Sequence, residues 1–231
     1  MRITVLLLSL FISSQTIAEP QAYEAKYVLL QDGDKVGTAK RILVKEKDNL
    51  WRMQTKSTAR LYFVKVKYDQ ESIFEWKNNT ARPLIYKQIS DTSLSSKRLL
   101  NQEFNWRTNI DSGNYKGKAW SQPLQPSSHD RLTAIITFRE MLKASSSPIK
   151  DAEFLVNYRG KATVEKFQLE KQETITTPAG EFLAYKYFKS HANTKRKSYY
   201  WFAPELDYFA IRIQQFNAGE EQANMLLKSV N

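Results

Sequence analysis

From Tyr23 onward the chain alternates apolar and polar residues with a period of two. Tyr23, Ala25, Tyr27 and Leu29 share one face of an extended segment. Tyr62, Val64, Val66 and Tyr68 share another, while Lys65 and Lys67 point the opposite way. This is the pattern of half-buried strands, whose side chains point alternately to the two faces of a sheet. Turn signals punctuate it at Asp32-Gly33-Asp34, Asp48-Asn49, Asn78-Asn79, Arg159-Gly160-Lys161, Thr177-Pro178-Ala179-Gly180, Ala203 to Asp207 and Asn217-Ala218-Gly219. Roughly a dozen strands are predicted. Residues 110–128, rich in Gly, Ser, Pro and Asn, read as a looser stretch.

One segment follows a different period. Across Arg131 to Lys143, Leu132, Ile135, Ile136 and Leu142 recur at helical spacing, and Ala134, Phe138 and Met141 widen the apolar surface. Ser127 is placed to cap this helix, with Asp130 three residues on completing a capping box, and Ser145-Ser146-Ser147-Pro148 stops it. The expected fold is mostly β: a strongly curved antiparallel sheet, as an open barrel or β-spiral, with one central α-helix near residues 129–143 packed into or across it.

The first 18 residues follow another plan. Met1-Arg2 is a short positive start, residues 3–12 are nearly all apolar, and Thr16-Ile17-Ala18 ends in small residues. These are the three parts of a cleavable secretory signal. The apolar run is too short to span a bilayer as a helix, and no later stretch is long and apolar enough to do so. The chain therefore reads as a signal over 1–18 and a single β-rich domain over 19–231, exported to a bacterial periplasm and not membrane-spanning.

Composition changes this picture little. The absence of cysteine rules out disulfides, thiolate metal sites, thiol catalysis and lipid attachment through an N-terminal Cys. A domain of this length buries enough surface to fold without metal or disulfide. The formal charge of +11 comes from short clusters such as Lys65/Lys67, Lys97-Arg98 and Lys195-Arg196-Lys197 rather than a basic tail. They read as solvated strand faces and turns, or as a surface for anionic lipid head groups or another acidic partner.

Candidate chemistry is sparse. His129 beside Asp130 offers an acid/base pair for a hydrolase, or two residues at a helix start where the dipole favours the carboxylate. His191 lies in a polar loop. Two distant histidines without cysteine make a poor zinc site. Asp32 and Asp34 lack the later ligands of a calcium loop. There is no glycine-rich phosphate loop, and no serine sits in a Gly-x-Ser-x-Gly elbow. No catalytic residue, cofactor or metal is expected.

The aromatics are denser than the polar candidates. Tyr199 and Trp201 fall on one face of their strand, Tyr200 and Phe202 on the other. Leu132, Ile135, Ile136, Phe138, Tyr199 and Trp201 are the candidate lining of a packed core or of an apolar ligand site. Aromatics with positive charge also suit nucleic acid, but an exported location argues against that partner.

The later half resembles a known family. It has a helix beginning Asp130, Leu132, Thr133, Ala134 and reaching Arg139; a Thr-Pro-Ala-Gly-x-Phe-x-Ala turn and strand over Thr177 to Ala184; and a Trp-Phe-Ala-Pro-Glu-Leu segment over Trp201 to Leu206, followed by Ile211-Arg212-Ile213. The opening Tyr23-x-Ala25-x-Tyr27 and the Val36-Gly37 step are similar in kind. These residues resemble the exported bacterial family called domain of unknown function 3108. The resemblance implies export and a β fold, and it supplies no catalytic residue. The function expected is that of a non-enzymatic periplasmic protein that binds a hydrophobic ligand or an envelope partner and supports envelope integrity. The alternative is a hydrolase using His129 and Asp130.

Overall fold

A computed structural model describes residues 19–191 and 195–231. The signal predicted over 1–18 lies outside the described residues. The alternating segments pair into one antiparallel run of long hairpins: β1 (Tyr23–Gln31), β2 (Asp34–Lys47), β3 (Leu50–Leu61), β4 (Val64–Lys77), β5 (Thr80–Thr92), β6 (Ser95–Asn105), β7 (Ile110–Tyr115) and β8 (Lys118–Pro123). A short strand, β9 (Ser128–His129), and the helix α1 (Thr133–Ala144) follow. The chain then resumes with β10 (Asp151–Tyr158), β11 (Lys161–Thr177), β12 (Gly180–Ser190), β13 (Arg196–Ala203), β14 (Phe209–Asn217) and β15 (Glu220–Val230).

These form a single 15-stranded sheet in the order β8 to β1, then β15 down to β9. Among the described residues only the β9–β10 pair is parallel. The first and last strands meet in the middle of the sheet, where β1 pairs with β15 and Glu24 exchanges two backbone hydrogen bonds with Asn231. The looser stretch expected over 110–128 is instead largely the β7–β8 hairpin. Its strands are short and polar, so the period of two is hard to read there.

The sheet curls until its two flanks touch, but side chains close the seam. Asp111 on β7 is fully buried. Its carboxylate accepts hydrogen bonds from Gln102 Nε2 (2.9 Å), Gln122 Nε2 (2.7 Å), Trp120 Nε1 (3.3 Å) and, across the seam, Asn157 Nδ2 on β10 (3.0 Å). Gln102 also reaches the Asn157 carbonyl, and the Arg159 guanidinium lies 3.7 Å over the Tyr115 ring. Gly113 and Gly160 make this possible, because a Cβ at either would strike the Trp120 side chain at 2.4 or 2.9 Å. A buried carboxylate needs its lone pairs filled, and neutral amide and indole donors fill them here.

Helix α1 occupies the concave side. Ile135, Phe138 and Leu142 join the larger hydrophobic cluster with β1 and β10 to β15, while Leu132, at the helix start, and Ile136 join a second cluster with β2 to β6. The helix starts later than its apolar pattern suggests, because His129 belongs to β9 and Asp130 turns the chain. Asp130 Oδ1 accepts from the backbone N–H of Leu132 (2.7 Å) and Thr133 (2.9 Å). The cap is thus Asp130 and not Ser127, and in return the Asp130 N–H donates to Thr133 Oγ1.

Candidate functional site

The predicted lining residues divide between the two faces of the sheet. Leu132, Ile135, Ile136 and Phe138 all face the interior and are buried. Phe138 stacks on Phe167 (4.3 Å between centroids) and meets Tyr187, Phe202 and Phe154 edge-on at 5.0 to 6.2 Å. The aromatic pair of β13 that joins them is Tyr200 and Phe202, with Tyr200 5.8 Å from Phe167. Tyr199 and Trp201 fall on the opposite face of β13 from Phe138, where Trp201 is buried in the larger hydrophobic cluster and Tyr199 packs half-buried against it. There the Trp201 ring lies under Arg212 and Lys186 and its Nε1 donates to Glu173. Both faces of β13 are aromatic, so alternation alone could not say which pair turns inward. Beside α1 a cavity of about 10 Å³, lined in part by Tyr23, Ile135, Ile136 and Arg139, has room for about one water.

His129 and Asp130 are helix-entry residues. Besides its two backbone donors, Asp130 accepts from Ser72 Oγ on β4 at 2.5 Å. Burial pushes its carboxyl up to about 6, against the pull of these hydrogen bonds. Burial drives His129 down to about 4, keeping the imidazole neutral at physiological pH. Its ring meets Phe154 edge-on at 5.3 Å. The two side chains tie β9 and α1 to β4 and β10 from within the core.

Toward the end of the curl where α1 begins, the inward-facing positions turn polar. On β13 they run Phe202, Tyr200, Ser198; on β12, Tyr187 then Lys189; on β11, Phe167 then Glu165. Lys189, though only 1% exposed, pairs with Glu165 Oε2 at 2.5 Å. His191 Nδ1 lies 2.9 Å from Glu165 Oε1, and its Nε2 lies 3.1 Å from Ser198 Oγ. Burial alone would raise the Glu165 carboxyl, but the Lys189 charge and the His191 hydrogen bond outweigh it and hold the group well below the usual carboxylate range. Burial lowers His191, with Glu165 opposing. The order Ser198, His191, Glu165 is that of a nucleophile, base and orienting acid. Ser198, however, is wholly buried, and Glu165 is already neutralised by Lys189. Across the interior, the Arg131 guanidinium lies 4.8 Å over Tyr158, whose hydroxyl donates to Gln88 Oε1 at 2.9 Å. Gln70 Nε2 donates to the Tyr86 hydroxyl at 2.5 Å. Single-residue reasoning missed this network, because its members lie on six strands; the one cue was Lys189 standing at an inward position of an aromatic strand.

Above this polar interior the same end of the sheet carries seven turns. Antiparallel pairing places β1–β2, β3–β4, β5–β6, β7–β8, β10–β11, β12–β13 and β14–β15 there. Exposed Arg60 and Lys65, Lys97, Lys116 and Lys118, Arg159 and Lys161, and Lys195 to Lys197 flank five of them. The other two carry Asp32, Asp34 and Glu220. Because the curl brings β7–β8 against β10–β11, the five basic turns form one arc around the seam. Among the described residues, no group of three or more His, Asp or Glu could hold a metal ion, and no helix is long and apolar enough to cross a membrane.

The sequence profile of a family described as "Protein of unknown function (DUF3108)" matches residues 22–227. The chain belongs to the DUF3108 family. No curated protein matches it. The DUF3108 fold is similar to the crystal structure of a β-barrel-like protein of domain of unknown function DUF1849 from Brucella abortus, with a TM-score of 0.57 at 6% identity, over 91% of this chain and 97% of that one. At that identity the likeness concerns the fold alone. A protein from Bacteroides fragilis with a YmcC-like fold, provisionally described as exported, aligns over 91% of this chain and 94% of its own with 12% identity and a TM-score of 0.30.

Proposed function

We propose that this DUF3108 member is an exported periplasmic protein that works by binding rather than by catalysis. On this reading it is a scaffold whose outer surface engages an envelope component, and its interior carries no lipid. The observation behind this reading is the helix-filled concave face, where Phe138 packs against aromatic rings from four strands and the adjoining cavity has room for about one water. Burial of His129, Asp130 and Ser198 supports the non-catalytic side, since a nucleophile or general base must reach its substrate.

Native mass spectrometry of the protein purified from its own periplasm tests both parts. The expected mass is that of an unliganded chain beginning at Glu19. A lipid bound in stoichiometric amount would overturn the scaffold reading, and a chain beginning at Met1 would overturn export by a cleaved signal.

A further inference from the structure

The β3–β4 turn is built against its own local preferences. A two-residue hairpin turn normally takes Asn, Asp or Gly, which tolerate positive φ at little cost. Asp32-Gly33 and Asn78-Asn79 follow this at both positions, and Lys116-Gly117 and Arg159-Gly160 follow it at the second, with Lys116 (φ 53°) and Arg159 (φ 54°) left-handed at the first. At the β3–β4 tip the two residues are Tyr62, held at φ 55°, and Phe63. They are 90% and 82% exposed. A bulky aromatic in the left-handed region, with its ring in water, gains nothing within the fold. A violation of local preference without internal compensation points to function.

The adjacent tip repeats the theme. Leu94, at the β5–β6 turn, is 70% exposed. The Ser93 N–H donates to the Lys65 carbonyl at 3.0 Å, and the Lys65 N–H donates to Ser93 Oγ at 3.1 Å, so the two tips are bound side by side. Three large apolar side chains thus project from one end of the molecule on a rigid pair of hairpins. Around and behind them stand Arg60, Lys65, Lys67, Lys97 and Arg98, all exposed, with Asp91 and Asp69 as acidic residues of the same two hairpin ends, Asp69 lying 3.7 Å from the Lys67 ammonium. The basic arc of the β7–β8, β10–β11 and β12–β13 turns lies on the same end of the sheet. An apolar wedge rimmed by cations fits a surface that is oily inside and negative outside.

We infer that the paired β3–β4 and β5–β6 tips dock on an anionic phospholipid bilayer, with Tyr62, Phe63 and Leu94 entering the interface and the surrounding lysines and arginines contacting lipid phosphates. This rests on the proposed outer-surface binding and names its partner. Tyrosine suits the level of the head groups, since its ring is apolar and its hydroxyl stays hydrated. The acidic β1–β2 and β14–β15 turns lie at this same end, next to β3–β4 on the side away from the seam, so the docked face tilts toward the basic arc.

Flotation of the mature protein with phosphatidylcholine vesicles, with and without about one third phosphatidylglycerol, tests this. Binding is expected only with the anionic lipid and is expected to weaken at high salt. Removing two rings from the interface by Tyr62→Ser with Phe63→Ser should weaken binding at least about tenfold, with the thermal melt unchanged, because burying one such side chain is alone worth about that factor. A Tyr62→Trp variant should show blue-shifted emission on anionic vesicles. Equal binding to neutral and anionic vesicles, no binding, or full binding by the serine variant would each overturn the inference. So would retention of a periplasmic protein partner by the wild type, lost in the serine variant, without vesicle binding. Native mass spectra of wild type and serine variant separate this result from the scaffold reading: a lipid carried in the interior would remain in both and fail that reading alone.

Discussion

The two ends of the curl's interior are built from the same strands yet solve different problems. Around Phe138 and the body of α1, the inward positions are aromatic and aliphatic, and stability comes from burying surface and fitting rings edge to face. One or two positions further along β11, β12 and β13, the inward residues become Glu165, Lys189 and Ser198, and burial must be offset by hydrogen bonds and an ion pair. The first end tolerates no lost volume. The second tolerates no lost partner. A sheet that needed only to fold could have continued its apolar stripe to the rim.

The largest effect should come from Phe138→Ala at the apolar end. Truncating a buried phenylalanine costs about 3–5 kcal/mol, which urea unfolding would read as a lower midpoint at nearly unchanged slope. A loss below about 1 kcal/mol would mean the helix is not the keystone of that core. At the polar end, Lys189→Met should cost about 3 kcal/mol or more by leaving the Glu165 charge buried with His191 as its remaining partner, while adding Glu165→Leu should recover most of it. If the double variant is no better than the single, the pair does more than balance its own charges.

Between the two ends, His129 and Asp130 set opposing pH dependences. His129 is depressed to about 4, so between about pH 6.5 and 4 the unfolded chain binds its proton more readily and stability falls as pH drops. Asp130 is raised to about 6, so from about pH 6 down to 4 the folded chain binds the proton more readily and stability rises as pH drops. The two slopes nearly cancel. Asp130→Asn should expose the His129 term, a loss of up to about 3 kcal/mol between pH 6.5 and 4 relative to neutral pH, seen in melts across that range. A variant as flat as the wild type would remove His129 from this account. The smallest effect on folding is expected at the tip: Tyr62→Asn with Phe63→Gly should leave stability unchanged or raise it by about 0.5–1 kcal/mol, because these residues fit the turn better.

Much of this architecture was legible along the chain. Val64, Val66 and Tyr68 alternate with Lys65 and Lys67 because one face of β4 turns inward, whereas Tyr62, which the same alternation includes, sits in the exposed β3–β4 turn; the helix stands out because Leu132, Ile135 and Ile136 keep a different period. What stayed hidden depends on contacts between distant segments. The inward pair on β13 was ambiguous because Tyr199 and Trp201 are as apolar as Tyr200 and Phe202, and only the curl decides which meets Phe138. Ser127 was the cap the sequence offered, with Asp130 as its box partner; Asp130 takes the role instead, its second oxygen held by Ser72, 58 residues earlier. The seam at Asp111 could not be foreseen, because its partners Gln102, Asn157 and Trp120 share no local pattern. The Ser198, His191 and Glu165 chain was likewise invisible, for it assembles three strands. The tip residues were in plain view, but only the fold puts Leu94 beside them.

The pairing of β1 with β15 gives the chain a schedule. The first strand made finds one of its two neighbours only when the last has been made, and the two runs of hairpins share no backbone ladder until then. A contact spanning nearly the whole sequence makes for slow completion. Until its final dozen residues are made, the chain holds its two runs of hairpins together by the side chains of the seam and by the helix, and losing those residues would remove β15 and with it the backbone join.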